Sequence, residues 1–164
     1  MPDVICNTSP LLYLYRIGVL DWLPKLFNEV WITNGVKQEL EIGQQKGYNV
    51  PKPRDYEWII VVDPQSMPSE WLSIDLGMGE LSVMALALEN SGKIILSDDA
   101  LARRHAKAAG LTVWGTLKVL LEAKSKGITE SIKPLLDRLE EQGMWLSEEI
   151  RHRILRLAGE KVQQ

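Results

Sequence analysis

Short runs of apolar residues alternate along this chain with longer segments in which apolar residues recur every three or four positions. The short runs predict β-strands and the longer segments predict helices. Five strands are predicted, at residues 4–7, 30–32, 59–62, 93–97 and 111–114. Helices are predicted at residues 11–17, 19–27, 35–45, 80–89, 100–109, 117–126, 131–142 and 147–158. Strands that alternate with helices are typical of a parallel sheet covered by helices on both faces. We therefore expect one α/β domain over residues 1–158, followed by a disordered tail at 159–164.

The first predicted strand ends abruptly on polar residues. In the segment VICNTSPLL, the apolar run Val4–Cys6 is followed by Asn7 and Thr8, and Ser9-Pro10 predicts a helix start. Serine is a favoured N-cap and proline a favoured first helical residue. Ligands of parallel α/β sheets bind at the carboxyl ends of the strands. Asn7 is therefore a candidate site residue, although asparagine also commonly hydrogen-bonds the turn that follows it.

Acidic residues from three distant segments are predicted to reach the same edge. The fourth strand ends on Ser97, Asp98 and Asp99, Glu80 opens a helix after a glycine-rich stretch, and Glu39 lies in the helix that follows the second strand. Clustered carboxylates repel one another, so they persist chiefly where a cation compensates them, and hard oxygen ligands suit Mg²⁺ or Mn²⁺. Such an ion can activate water and neutralise charge during phosphodiester hydrolysis.

Structural roles are open for each of these residues. A strand-end aspartate is often only an N-cap. We expect Asp99 to be a site residue and Asp98 to be either a cap or a residue that supports the site from behind. Glu80 could complement the helix dipole as a first-turn acid. Glu39 could belong to a solvated helix face. Thr116 could cap the helix after the fifth strand or direct its hydroxyl into the cleft.

Charge is distributed unevenly between the two halves of the chain. Residues 1–99 contain 7 Lys and Arg against 14 Asp and Glu, whereas residues 100–164 contain 12 against 8. On the helix after the Asp pair, Arg103, Arg104 and Lys107 are candidate contacts for RNA phosphates. The alternative is a solvated basic helix face.

The remaining chemistry-bearing side chains favour structural roles. The 6 tryptophans are scattered, so we interpret them as core or interface anchors rather than a row of base-stacking residues. Neither His105 nor His152 has the spacing of a metal ligand. Ile150, Ile154 and Leu157 lie at helical spacing, which predicts packing onto the domain or onto a second subunit.

Composition places the chain in the globular class, with 45% hydrophobic and 25% charged residues. No window has the roughly 18 consecutive apolar residues of a membrane span, and the N-terminus lacks the features of a signal peptide. The single cysteine, Cys6, can form neither an internal disulfide nor a zinc cluster. We therefore expect a cytoplasmic protein with Cys6 as a small core residue.

Five segments in order resemble the motifs of PIN domains: VICNTSPL, ITNGVKQEL, LGMGELSVMALAL, KIILSDDALARRHA and TVWGTLKVLLEAKSKG. The resemblance spans residues 4–158 and is greatest to the PIN-like branch whose first motif is Asn-x-Ser-Pro. It implies a five-stranded parallel sheet and a metal-dependent endoribonuclease that uses Mg²⁺ or Mn²⁺ and binds RNA. Many PIN domains are toxins of the VapBC type, neutralised by a small antitoxin protein and often homodimeric.

The resemblance also implies roles for individual residues. The acidic positions of the family fall on Asn7, Glu39, Glu80 and Asp99, with Asp98 beside the last. Catalytic carboxylates are thus implied at Glu39, Glu80 and Asp99, and metal ligands at Asn7, Glu80, Asp98 and Asp99. Hydroxyl groups beside the metal are implied at Ser9 and Ser97, and Thr116 is a further candidate.

The chain departs from the family pattern at Asn7, where most PIN nucleases have aspartate. An amide can bind a metal through its carbonyl oxygen, but it contributes no negative charge. This difference supports an alternative, a catalytically silent PIN-like domain that binds RNA or a protein. A receiver-like or nucleotide-binding module is disfavoured because no glycine-rich phosphate loop follows the first strand.

Overall fold

The computed structural model describes residues 1–162, which contain five strands and eight α-helices in alternation. The strands are β1 (Val4–Cys6), β2 (Val30–Ile32), β3 (Ile59–Val61), β4 (Ile94–Leu96) and β5 (Thr112–Trp114). The helices are α1 (Thr8–Arg16), α2 (Leu23–Leu26), α3 (Asn34–Gln45), α4 (Met78–Glu89), α5 (Ala100–Ala108), α6 (Thr116–Ser125), α7 (Lys133–Glu141) and α8 (Glu148–Leu157). Short 3₁₀ helices occur at Leu20–Trp22, Pro53–Asp55 and Ser69–Ser73. None of the helices in this part of the chain combines the length and hydrophobicity needed to cross a membrane.

The five strands form one sheet in the order β3-β2-β1-β4-β5, and every neighbouring pair is parallel. This confirms the predicted α/β class and the five-stranded parallel sheet. The chain builds outwards from β1 to β3 and then returns to the other side of β1 to form β4. The strand order therefore reverses between β1 and β4, and ligands of such sheets bind at the carboxyl ends beside that point.

The two strands at the reversal point are inaccessible to solvent. Val4, Ile5 and Cys6 of β1 have no exposed surface, and Ile95 and Leu96 of β4 are at most 1% exposed. Apolar residues pack on both faces because helices cover both sides of a parallel sheet. Cys6 is thus a core residue as predicted, and burial raises the pKa of its thiol.

Helices α3 and α4 approach each other closely at a pair of glycines. A Cβ atom on Gly35 would lie 3.3 Å from the Cα of Gly79, and the buried hydroxyls of Thr33 and Ser82 are 2.7 Å apart. The Ser82 hydroxyl also donates to the carbonyl oxygen of Gly79 at 2.8 Å. This contact brings Glu39, one helical turn beyond Gly35, against the first turn of α4.

Several predicted boundaries are wrong by a few residues. Helix α1 begins at Thr8 with Asn7 as its N-cap residue, so Ser9 is not the cap. The helix predicted at 19–27 is instead a 3₁₀ turn followed by α2, in which Pro24 lies in the first turn. Proline is well tolerated there, because a first-turn amide has no partner within the helix, so Pro24 helps to begin α2 rather than to end a longer helix.

Glu160, in the segment predicted as a tail, is held against the domain. Its carboxylate accepts hydrogen bonds from the backbone N–H of Ile132 at 2.8 Å, the Ser131 hydroxyl at 2.8 Å and the Lys124 ammonium at 3.0 Å. Burial alone would raise the pKa of Glu160, but these donors outweigh burial and lower it to about 2. Residues 163 and 164 of the predicted tail lie outside the described residues.

We expect Glu160→Gln to lower the free energy of unfolding at neutral pH by about 1–3 kcal/mol, because hydrogen bonds to a charged group are lost. Since the pKa of Glu160 is lowered on folding, its contribution is present above the ordinary glutamate range and disappears as pH falls towards about 2. Urea unfolding at several pH values measures this difference. Glu141→Gln, an exposed glutamate on α7, is the matched control. Equal stabilities of wild type and Glu160→Gln at neutral pH would contradict the assigned contacts.

Candidate active site

Asn7 is buried and its side chain is unpartnered. It follows β1, and its backbone N–H donates to the carbonyl oxygen of Leu96 in β4 at 2.9 Å, so it lies at the reversal point. The residue is 4% exposed, yet neither its amide nitrogen nor its amide oxygen has a hydrogen-bond partner within the described residues. The side chain does not cap α1, so the alternative role of hydrogen-bonding the following turn is not observed. A buried polar group without a partner costs about 1–3 kcal/mol, which is a reason to look for a ligand.

Glu39 is directed towards this same edge. The hydroxyl of Thr8, which follows Asn7, donates a hydrogen bond to the Glu39 carboxylate. The carboxylate packs over Gly79, where its carbon lies 2.8 Å from the position that a Cβ atom would occupy. Glu39 is half-buried rather than part of a solvated helix face. Thr8 is therefore a further candidate site residue, which was not predicted although it directly follows Asn7.

Glu80 lies beside Glu39 in a space that two glycines leave open. It is in the first turn of α4, as predicted. A Cβ atom on Gly77 would lie 2.7 Å from Glu80 Oε2 and 3.6 Å from Glu39 Oε1, so both carboxylates adjoin one point. Burial raises the pKa of the Glu80 carboxyl, and the charges of Glu39 and Asp99 raise it further. Three carboxylates are therefore close enough to interact electrostatically.

Asp99 has a structural role and a free oxygen. It is the N-cap residue of α5, and its Oδ1 accepts from the backbone N–H of Ala102 at 2.8 Å. Its own backbone N–H donates to the Ser97 hydroxyl at 3.3 Å, and Ser97 is only 1% exposed. In the described residues no hydrogen bond engages Asp99 Oδ2, and the residue is exposed at the sheet edge. Asp99 can thus cap α5 and still offer an oxygen to a ligand.

Asp98 does not cap α5, because Asp99 does, and Asp98 instead has the other expected role of a supporting residue. Its Oδ1 accepts from the backbone N–H of Thr116 at 2.8 Å and its Oδ2 accepts from the Thr116 hydroxyl at 2.6 Å. Burial raises the pKa of Asp98, while Thr116 and the Arg103 guanidinium act in the opposite direction. Thr116 is not a cap either, because Gly115 is the N-cap residue of α6. The two hydrogen bonds of Asp98 therefore connect the N-terminus of α6 to the end of β4.

The remaining candidates are Ser9 and three basic residues of α5. Ser9 is exposed in the first turn of α1, and no side-chain hydrogen bond engages it within residues 1–162. The guanidinium of Arg103 lies beside Asp98, with one nitrogen 3.3 Å from where a Cβ atom on Gly115 would be. Arg104 and Lys107 are exposed along α5. These basic residues thus form two groups, one at the site edge and one on the outer surface.

The donor set at this edge fits a hard divalent cation. It consists of carboxylate oxygens of Glu39, Glu80 and Asp99 and an unpartnered amide oxygen of Asn7, which are the ligand types that Mg²⁺ and Mn²⁺ prefer. Within the described residues, no group of three or more His, Cys, Asp or Glu side chains is already arranged as a metal centre. Two of the three carboxylates are instead engaged with Thr8 and with the α5 backbone.

Comparison with known families agrees with this arrangement. A family model described as a PIN domain matches residues 3–160. A search of curated proteins found no match. Proteins with PIN domains are generally nucleases and typically use divalent metals. The sheet is parallel and five-stranded, and acidic residues from distant segments lie at its carboxyl edge. The family match covers nearly the whole length, so this chain belongs to the PIN-domain family.

Proposed function

We propose that this protein is a divalent-metal-dependent endoribonuclease that hydrolyses RNA phosphodiester bonds. The observation that supports this best is that the charges of Glu39 and Asp99 both act on Glu80, at the sheet edge where the amide of Asn7 is buried without a partner. Carboxylates of like charge that lie close together without a compensating cation are costly, and a phosphodiester nuclease needs such a group of oxygen ligands.

Each residue has a role in this proposal. Glu39, Glu80, Asp99 and the amide oxygen of Asn7 hold the metal, and Asp98 supports the edge through its two bonds to Thr116. The bound ion, Mg²⁺ or Mn²⁺, supplies activation of water and neutralisation of the charge that builds on the phosphate. Thr8 orients Glu39 by its hydrogen bond, and Ser97 orients Asp99 through the backbone.

No protein nucleophile is proposed. Cys6 has no exposed surface and a raised thiol pKa, so it can neither reach nor attack a phosphate. Arg103, whose guanidinium adjoins Asp98, is the cation placed to meet a substrate phosphate at the edge of the site, with Arg104 and Lys107 further along α5. Hydrolysis is therefore proposed to proceed by direct attack of water, without a covalent intermediate on the protein.

The biological setting is a finer proposal. Membership of the PIN-domain family, which includes many VapBC toxins, supports a toxin of this type that acts in the cytoplasm as a homodimer and is neutralised by a small antitoxin. A small upstream reading frame that overlaps this gene, whose product co-purifies with this protein and inhibits it, is the expected observation. A gene that stands alone and can be expressed without growth arrest would oppose the toxin role and leave the nuclease proposal intact.

One observation favours the alternative of a catalytically silent PIN-like domain that binds RNA or a protein. Asn7 lowers the negative charge of the donor set by one compared with an aspartate at that position, which weakens attraction for a divalent ion. In a silent domain, RNA would be bound but not cut, with or without metal.

The nuclease proposal is tested by incubating purified protein with single-stranded RNA and either Mg²⁺, Mn²⁺ or EDTA. We expect cleavage with a divalent ion and none with EDTA. Cleavage that continues in EDTA indicates a contaminating nuclease, and intact RNA under all conditions supports the silent domain.

Gly79→Ala is expected to reduce cleavage about 100-fold, because a catalytic carboxylate misplaced by about 1 Å costs that much. The added methyl group would overlap the Glu39 carboxylate, which must move. Folding should be nearly unaffected, since alanine favours helices by about 0.5–1 kcal/mol over glycine and the displaced group is the flexible end of a side chain. Gly43→Ala is the control, because its methyl group would meet Val50 instead, at 3.2 Å. Equal activities of the two variants would show that Glu39 is not required where it lies.

A further inference from the structure

A groove between α6 and α8 opens beside the candidate active site. It has a volume of about 560 Å³ and begins at Asp98, Arg103 and Gly115, next to the carboxyl ends of β4 and β5. Leu117 and Leu121 of α6 form one wall and Ile150 and Ile154 of α8 the other. Helix α8 buries Leu155, and Ile154 also packs against the core, as predicted. Ile150 and Leu157 are exposed, and together with Ile154 they line this groove.

Trp145 lines the groove and is largely exposed to solvent. It is 81% exposed, whereas the other five tryptophans are partly buried and pack against the core. Burial of a large apolar side chain stabilises a fold by roughly 1.5–3 kcal/mol, and an exposed indole does not contribute this free energy. Trp145 does not act as a core anchor, and a flat aromatic face open to solvent can bind another flat apolar group.

The groove is lined by cations and has one acid. Arg103, Lys118 and Arg153 line it, and within residues 1–162 neither arginine takes part in an ion pair. The Lys118 ammonium forms an ion pair with the Glu122 carboxylate at 2.9 Å and lies 5.5 Å from the centre of the Trp114 ring. Both oxygens of Asp98, the one acid, are engaged by Thr116. The groove therefore has an excess of positive charge.

We propose that this groove binds the single-stranded RNA that flanks the bond at the carboxylate site, with a base stacked on Trp145 and phosphates on Arg103, Lys118 and Arg153. Single-stranded nucleic acids are held by this combination of an aromatic platform and a positively charged groove. The groove starts at Asp98, beside Asp99, so a strand that leaves the carboxylates enters it without crossing the outer surface of α5. The apolar walls contact base and ribose faces without selecting a sequence. This inference rests on the proposed RNA substrate and names where that substrate lies.

Binding of a short fluorescein-labelled oligouridylate RNA, measured by anisotropy in EDTA, tests the inference without cleavage. We expect Trp145→Ala to weaken binding about tenfold, since stacking of one base contributes about 1–3 kcal/mol. Tyr48→Ala, an aromatic residue that is 61% exposed and does not line the groove, should bind like wild type. Arg153→Gln should reduce the slope of log affinity against log salt by about 0.7, the value for one phosphate contact on a single strand. Arg156→Gln on the same helix should leave that slope unchanged.

The outcomes separate this inference from the nuclease proposal. If Trp145→Ala binds RNA more weakly than wild type while the wild-type protein cleaves no RNA in Mg²⁺ or Mn²⁺, the nuclease proposal is overturned. The groove then remains an RNA-binding site. Metal-dependent cleavage with equal affinities of Trp145→Ala and Tyr48→Ala overturns the groove and leaves the nuclease. If Trp145→Ala instead shifts the sedimentation coefficient without changing RNA affinity, the groove is a contact between copies of the chain.

Discussion

Asp99→Asn should lower metal-dependent RNA cleavage about 1000-fold, which corresponds to about 4 kcal/mol of transition-state stabilisation. Asparagine at this position removes one of three negative charges from the donor set. It also retains the cap of α5, because asparagine and aspartate are equally good N-caps. The loss of activity should therefore occur without a change in the melting temperature. RNA cleavage rates and thermal unfolding of the same preparations measure the two effects.

The matched control for this substitution is Asp55→Asn, an exposed aspartate in the 3₁₀ helix at Pro53–Asp55, which should cleave like wild type. A third variant, Asp99→Ala, removes the charge and the cap together, and we expect it to lose about 1 kcal/mol of stability as well. Full cleavage by Asp99→Asn, in a preparation whose activity EDTA abolishes, would remove Asp99 from the mechanism.

Asn7→Asp should strengthen binding of Mn²⁺ at least tenfold, or about 1.4 kcal/mol. The substitution restores the charge that the amide lacks, and attraction for a divalent ion grows with the number of negative ligands. Without metal the same variant should be less stable than wild type, because it buries a fourth charge next to Glu39, Glu80 and Asp99. Calorimetric titration and urea unfolding, each with and without metal, measure these opposite effects.

Asn49→Asp provides the same chemical change at an exposed position and should alter neither quantity. If wild type is already an active enzyme, cleavage at saturating metal should rise only modestly in Asn7→Asp. A large gain of activity would indicate that the natural protein is silent. An unchanged affinity for Mn²⁺ would show that the amide of Asn7 does not adjoin the metal.

The order of the strands and helices could be predicted from the chain because the signals are local. Apolar runs and helical spacing give the five strands, and the carboxyl-edge rule then brings Asn7, Glu80 and Asp99 to one side of the sheet. Glu80 in the first turn of α4 is such a local feature. Glu39 lies inside α3 rather than at a strand end, so its contact with Thr8 does not follow from that rule.

What could not be predicted depends on contacts between distant segments. The bond from Thr8 to Glu39 exists because Gly35 and Gly79 allow α3 and α4 to approach closely, and no local pattern encodes that distance. Asp99 caps α5, whereas Asp98 accepts hydrogen bonds from Thr116. Which aspartate has which role depends on the exact residues at which β4 ends and α5 begins. Local sequence gives such boundaries only to within a few residues.

We propose that side chains from the end of β1, from α3, from α4 and from the end of β4 share one divalent ion. Titration of Mn²⁺ into metal-free wild-type protein in a calorimeter tests this proposal most directly. We predict a saturable isotherm at or below millimolar Mn²⁺ that disappears in Glu80→Gln and persists in Glu41→Gln, an exposed glutamate on the same helix as Glu39. No saturable binding to the wild-type protein at millimolar Mn²⁺, or equal binding by Glu80→Gln, would contradict it.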